Sequence, residues 1–148
     1  VGPFADALPK GRVMFVANAV KIVGCLAMLA GSHPLIAYGI VGVGAAMYSP
    51  AKYGILTELL PPEKLVPANG WMEGLTVASI ILGAIIGGYL VGDHFSGYMK
   101  DEFAFLSDFP HLDSAPEVAI VILLLLYGVA ALANLYIPKL AIDHKPAR

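Results

Sequence analysis

The sequence predicts an all-α fold, a polytopic transmembrane helix bundle, and three observations carry that expectation. Hydrophobic residues make up 58% and charged residues 14% of the 148-residue chain, whereas soluble domains carry about 45–50% and about 25%. Mean hydropathy is +0.76. The apolar residues also gather into four long runs, separated by short stretches that hold most of the glycine, proline and charge. A run of roughly 20 apolar residues is what a helix needs to cross a hydrocarbon core.

The elements follow in order. Residues 1–12 hold Pro3, Pro9 and Gly11 as breakers and Asp6, Lys10 and Arg12 as charges, so they read as the end of one span and a tight loop. A first full span covers 13–30. Gly31, Ser32, His33 and Pro34 mark a turn, and a second span covers 35–50. Residues 51–67 read as a polar loop, because Pro61 and Pro62 each lack an N–H and crowd the preceding turn. A third span covers 68–91. A polar segment over 92–117 follows, with Asp93, Asp101, Glu102, Asp108, Asp113 and Glu117 interleaved with aromatic residues. The fourth span covers 118–138, and 139–148 forms a charged tail.

Charge then gives orientation. Lys10, Arg12, Lys52, Lys64, Lys139, Lys145 and Arg148 fall on one side of the expected membrane, and Lys100 alone on the other. The positive-inside rule makes the basic side cytoplasmic and the acidic 92–117 segment periplasmic or extracellular. The chain opens without methionine and shows no cleavable leader, which reads as the interior of a longer protein.

Several function classes are excluded. A net charge of −2 offers no surface for nucleic acid. One cysteine, Cys25, rules out an intrachain disulfide and reads as a small buried hydrophobe. His33, His94, His111 and His144 fall in loops without metal-ligand spacing, and no catalytic motif or cofactor signature is present.

Two charges stand where a bilayer penalises them. Lys21 lies eight residues into the first span, roughly 12 Å deep at about 1.5 Å per residue. Such a charge costs several kcal/mol unless it is paired, snorkels, or faces a cavity. Asn18 and Cys25 share its helical face. Either Lys21 is a structural cation reaching for the cytoplasmic boundary, or it meets an anionic head group or a moving counter-ion. Glu73 sits at a comparable depth on a face that runs Asn69, Glu73, Thr76, Ile80, Gly83 and Gly87. One buried network joining Lys21 to Glu73 would compensate both, with the double substitution rescuing the singles. Tyr48, Lys52 and Tyr53 stand at an interface, where aromatics and lysine anchor a helix. Ser49 and Pro50 beside them free backbone carbonyls, which suits a wet cavity.

GPFADALPKGR, with Gly2, Asp6, Lys10, Gly11 and Arg12, resembles the loop motif between the second and third helices of the major facilitator superfamily. Within it, KGRVMFVANAVKIVG, VGVGAAMYSPAKYGIL, EKLVPANGWME and NLYIPKL resemble the bacterial lysophospholipid transporters. That resemblance implies helices three to six of twelve, a partial N-terminal half of the fold, with the opening motif a charged gate latch. It implies alternating-access movement of lysophospholipids, chiefly lysophosphatidylethanolamine, across the inner membrane toward the cytoplasmic leaflet. No cofactor is implied. The implied partners are the lipid bilayer, the remaining helices and an acyltransferase/acyl carrier protein synthetase, fused or separate. It also points the second span at substrate, with Tyr48 and Lys52 near a phosphate. The alternatives are a drug or metabolite antiporter in which Glu73 titrates, the membrane part of a transporter–acyltransferase fusion, and a non-transporting assembly protein.

Overall fold

The computed structural model describes residues 9–93, 95, 97 and 114–137. Gly2 and Asp6 of the opening motif, most of the 92–117 segment and the tail after 137 lie outside the described residues. Among the described residues four long helices form the bundle: α1 (Lys10–Leu29), α2 (Pro34–Leu59), α3 (Pro62–Val91) and α4 (Ala115–Leu135). Each is long and apolar enough to cross a membrane.

α1 is the central element, packed along α2 on one side and α4 on the other, while α3 meets α2 and α4 over narrower strips. The α1–α2 seam is antiparallel and built from small residues. Ala17, Ala37 and Ala51 are fully buried. A Cβ added at Gly24 would lie 2.9 Å from the Ala37 carbonyl oxygen, and one at Gly44 would lie 2.7 Å from that of Ala17. Close backbone approach of this kind is how helices gain contact in lipid, where hydrophobicity gives them no reason to associate. Near the start of α1, Val13 and Met14 pack with Ala51 and Ile55 of α2, and Tyr48 and Ile137 lean on that cluster.

α3 buries no residue against the other three helices. Its large apolar side chains, Trp71, Leu75, Ile80 and Ile85 among them, are exposed. A helix apolar on all sides needs hydrocarbon or further helices around it.

The connections have local causes. After α1, Gly31 adopts φ +78°. Its N–H donates to Met28 O at 3.1 Å and the N–H of Ser32 to Ala27 O at 3.0 Å. That is the left-handed cap with a six-to-one bond that satisfies the last carbonyls of a helix. Pro34 then occupies the first turn of α2, where its missing N–H has no partner to lose. At the start of α4, Ser114 and Glu117 form a reciprocal capping box, with the Ser114 N–H donating to Glu117 Oε2 at 3.0 Å. Ser114→Ala is expected to cost about 1 kcal/mol, read as a lowered thermal midpoint of the full-length protein. An unchanged midpoint would mean that the box contributes nothing.

Three features differ from the sequence expectation. Lys10, Gly11 and Arg12 are not in a loop; they form the first turn of α1, started by Pro9, whose carbonyl accepts from the N–H of Arg12 at 2.8 Å. Residues 51–59 are not loop either, because α2 continues through Pro50 to Leu59. One proline removes one hydrogen bond, here to the Ala46 carbonyl, and the ladder resumes beyond it. α3 likewise begins at Pro62 rather than 68 and carries Pro67 within it. The 51–67 stretch is polar and, apart from Leu60 and Pro61, helical. At 26 and 30 residues, α2 and α3 are about 39 and 45 Å long, beyond the ~30 Å of a hydrocarbon core. What breaks the chain is Leu60-Pro61, both extended, since a residue before proline is pushed out of the helical region.

Candidate functional site

Two polar clusters and one motif contact occupy the bundle. The motif contact lies at the start of α1. Lys10 lays its stem against Gly54 of α2, where an added Cβ would stand 3.2 Å from Lys10 Cε. Gly11 abuts the end of α4, 3.1 Å from Ile137 Cβ and 3.2 Å from the Asn134 carbonyl oxygen by the same construction. Arg12 lines a cavity of about 330 Å³ with Phe15 and Asn134. The glycine is therefore what lets α1 start against α4.

The first cluster forms around Lys21. Its ammonium donates to Asn18 Oδ1 at 3.3 Å, one turn back on α1. It also stands 4.5 Å from the ring centroid of Tyr48 on α2 and 5.3 Å from that of Tyr127 on α4. Asn18 is 2% exposed, and its Nδ2 has no hydrogen-bond partner among the described residues. Cation–π contacts are worth about 0.5–2 kcal/mol each. Two of them together offset about 1–4 kcal/mol, of the same order as the cost of a charge inside a bilayer on insertion scales. A cavity of about 550 Å³ opens beside the cluster, lined by Lys21, Tyr127, Thr76, Ser79 and the apolar Met72, Leu75 and Ile80.

The second cluster ties α2 to α3. Lys52 Nζ donates to Thr76 Oγ1 at 2.6 Å and lies 5.2 Å from the Tyr53 ring centroid. The Tyr53 hydroxyl donates to Glu73 Oε1. Thr76 in turn donates to Met72 O at 2.7 Å, so its lone pairs face the lysine. For a helix that buries nothing, these two bonds are the polar ties to its neighbour.

The sequence-derived residues are thus sorted rather than joined. Asn18, Lys21 and Tyr48 come together, as do Lys52 and Glu73. Asn69 is exposed one turn before Glu73, outside both groups. The expected Lys21–Glu73 pair does not form: Lys21 turns to Asn18 and two tyrosines, and Glu73 to Tyr53. Both residues have the right depth, but depth leaves the direction around the helix axis open. Tyr127 escaped the sequence reading because a lone tyrosine in an apolar run reads as core. Its signal was a phenol, which seeks a polar partner when buried. Asn134, buried with an unpartnered Nδ2, was visible only as part of a motif. Cys25 is a buried free thiol on α1.

The described residues form a bundle of membrane-length helices with a small-residue seam, and sequence comparison gives the family. The profile of the Major Facilitator Superfamily matches residues 1–147. The chain belongs to the major facilitator superfamily. Among relatives, it is 45% identical over 141 residues to the "Lysophospholipid transporter LplT" of Yersinia enterocolitica serotype O:8 / biotype 1B, covering 95% of this chain and 30% of that protein. It is 43% identical over 144 residues to the protein of the same name from Serratia proteamaculans, covering 97% of this chain and 31% of that one. The Yersinia pestis (strain Pestoides F) protein of that name is 44% identical over 141 residues, again 95% of this chain and 30% of the relative. This major facilitator chain therefore spans about three-tenths of the length of its curated relatives. No solved structure matches it. Membership and four spanning helices make it a multi-pass membrane protein.

Proposed function

We propose that this chain is part of a transporter that moves lysophospholipids across the bacterial inner membrane toward the cytoplasmic leaflet by alternating access. The observation that carries the reading is 45% identity to a relative named as a lysophospholipid transporter, maintained over 95% of this chain. Major facilitator halves contain nested inverted repeats that rock around a midplane site, and α1 to α4 would supply most of one half. Gly2, Asp6, Lys10, Gly11 and Arg12 would form the cytoplasmic latch. Its last three residues start α1, so a change in the latch would bear directly on the central helix.

Tyr48 and Lys52, with Asn18, Lys21, Asn69 and Glu73, would supply the polar surroundings of the lipid head group. Exposed Gly39 and Gly42, at which a Cβ would meet nothing within 4 Å, leave α2 a smooth face for an acyl chain. The lysophospholipid delivered inside is an acyl acceptor, so the natural partner is an acyltransferase, on the same chain or a separate one.

The test is flipping by the full-length protein in proteoliposomes. Fluorescent lysophosphatidylethanolamine is placed in one leaflet and its protection from albumin extraction is followed. Flipping faster than in empty vesicles, and lost on Asp6→Asn, is the expected result. Correctly folded protein that leaves the rate at the empty-vesicle level would refute the lipid assignment.

A further inference from the structure

Lys21 is a cation in a membrane-spanning helix whose described partners include no anion. Its ammonium reaches one neutral amide oxygen and two tyrosine rings. The amide belongs to Asn18, a side chain 2% exposed with its own Nδ2 unsatisfied, so the back of the site holds two groups short of acceptors. The front is a wide-open cleft between α1, α3 and α4.

The lining narrows what the cavity accepts. Thr76 and Ser79 commit their hydroxyl hydrogens to their own helix, to Met72 O and Leu75 O at 2.7 Å each. Their oxygens can only accept, and Thr76 already accepts from Lys52, a cation that stands behind Thr76 and does not line the cavity. Met72, Leu75 and Ile80 are apolar. Attraction for negative charge therefore falls on Lys21, and the remaining wall suits glycerol and the first methylenes of a chain. A phosphodiester carries one delocalised charge and strong acceptor oxygens, so it complements an ammonium that retains unused donors.

We infer that Lys21, backed by Asn18 and held between Tyr48 and Tyr127, receives the phosphodiester of the lysophospholipid in the α1–α3–α4 cavity. The inference rests on the proposed transport of lysophospholipids. The tyrosine rings hold the ammonium while the site is empty, and the phosphate replaces part of that contact when it fills. No bond is made or broken.

The experiment uses the full-length protein in proteoliposomes, and its first readout is competition against fluorescent lysophosphatidylethanolamine. Wild type is expected to prefer unlabelled lysophosphatidylethanolamine over a monoacylglycerol of the same chain by at least about tenfold. Lys21→Gln is expected to erase that preference, and Lys21→Arg to keep most of it. A preference unchanged in Lys21→Gln overturns the inference while leaving transport intact.

A second readout needs no variant. Lys21 of the wild-type protein is acylated with an amine-selective reagent and its modification is read by peptide mass spectrometry. Protection by lysophosphatidylethanolamine, with none from monoacylglycerol, supports the site. Equal protection by both lipids overturns it, as does protection by inorganic phosphate matching that of the lipid at equal concentration. Wild type that fails to flip lysophospholipid at all sinks the transport reading instead.

Discussion

Gly44→Leu is expected to deplete folded full-length protein in the membrane severely and to lower the thermal midpoint of what remains. An added Cβ at this position already stands 2.7 Å from the Ala17 carbonyl oxygen and 2.7 Å from Lys21 Cγ. The first neighbour is backbone, so it yields only if α1 and α2 move apart along the whole seam. Overpacking a tight core costs typically about 1–3 kcal/mol, and more where the obstacle is rigid. Interiors packed like crystals absorb little of that strain. The second neighbour matters for function, because the Lys21 stem lies across Gly44 on its way to the ring of Tyr48. Gly44→Ala should therefore cost less stability than leucine and still displace Lys21. Gly39→Ala is the control: nothing lies within 4 Å of its Cβ, and glycine within a helix is about 0.5–1 kcal/mol worse than alanine. Size-exclusion recovery after heating reads all three. Equal midpoints for Gly44→Leu and Gly39→Ala would contradict the packing described for α1 and α2.

The apolar runs were legible because hydrocarbon demands them, and each of the four helices coincides with one of them. Their ends were less legible for a reason that Pro50 and Pro61 illustrate. The two residues look alike in sequence, yet Pro50 sits inside α2 with intact turns on both sides, while Pro61 is followed by a second proline and preceded by an extended Leu60. Polarity misled in the same way over 51–67, since a helix longer than the hydrocarbon carries charge on its emergent turns. Lys21 and Glu73 were recognisable singly by what a bilayer charges for them. Their partners were not, because Tyr48, Tyr127 and Tyr53 are set by how α1, α2, α3 and α4 face one another. Periodicity along one helix holds no record of that.

That distinction gives a second expected result, in the form of two mutant cycles on the full-length protein. Glu73→Leu combined with Tyr53→Phe is expected to be non-additive, because each substitution removes the same hydrogen bond between α2 and α3. Contacting residues typically show coupling of about 0.5–3 kcal/mol, and an exposed bond belongs at the low end of that range. Glu73→Gln combined with Lys21→Met is expected to be additive within about 0.3–0.5 kcal/mol, as sites with no shared partner usually are. In transport, Lys21→Met should weaken use of the phosphate-bearing lipid, whereas Glu73→Gln, which leaves Tyr53 a weaker neutral acceptor, should loosen α3 slightly and lower the rate for any substrate that requires it to move. The double variant should then show both defects. Restored activity in the double variant would instead mean that the two charges meet in some state of the transporter, and that Asn18 and the tyrosines hold Lys21 only in this one. Additivity leaves Lys21 held by Asn18 and the two tyrosines, with Glu73 excluded as its countercharge.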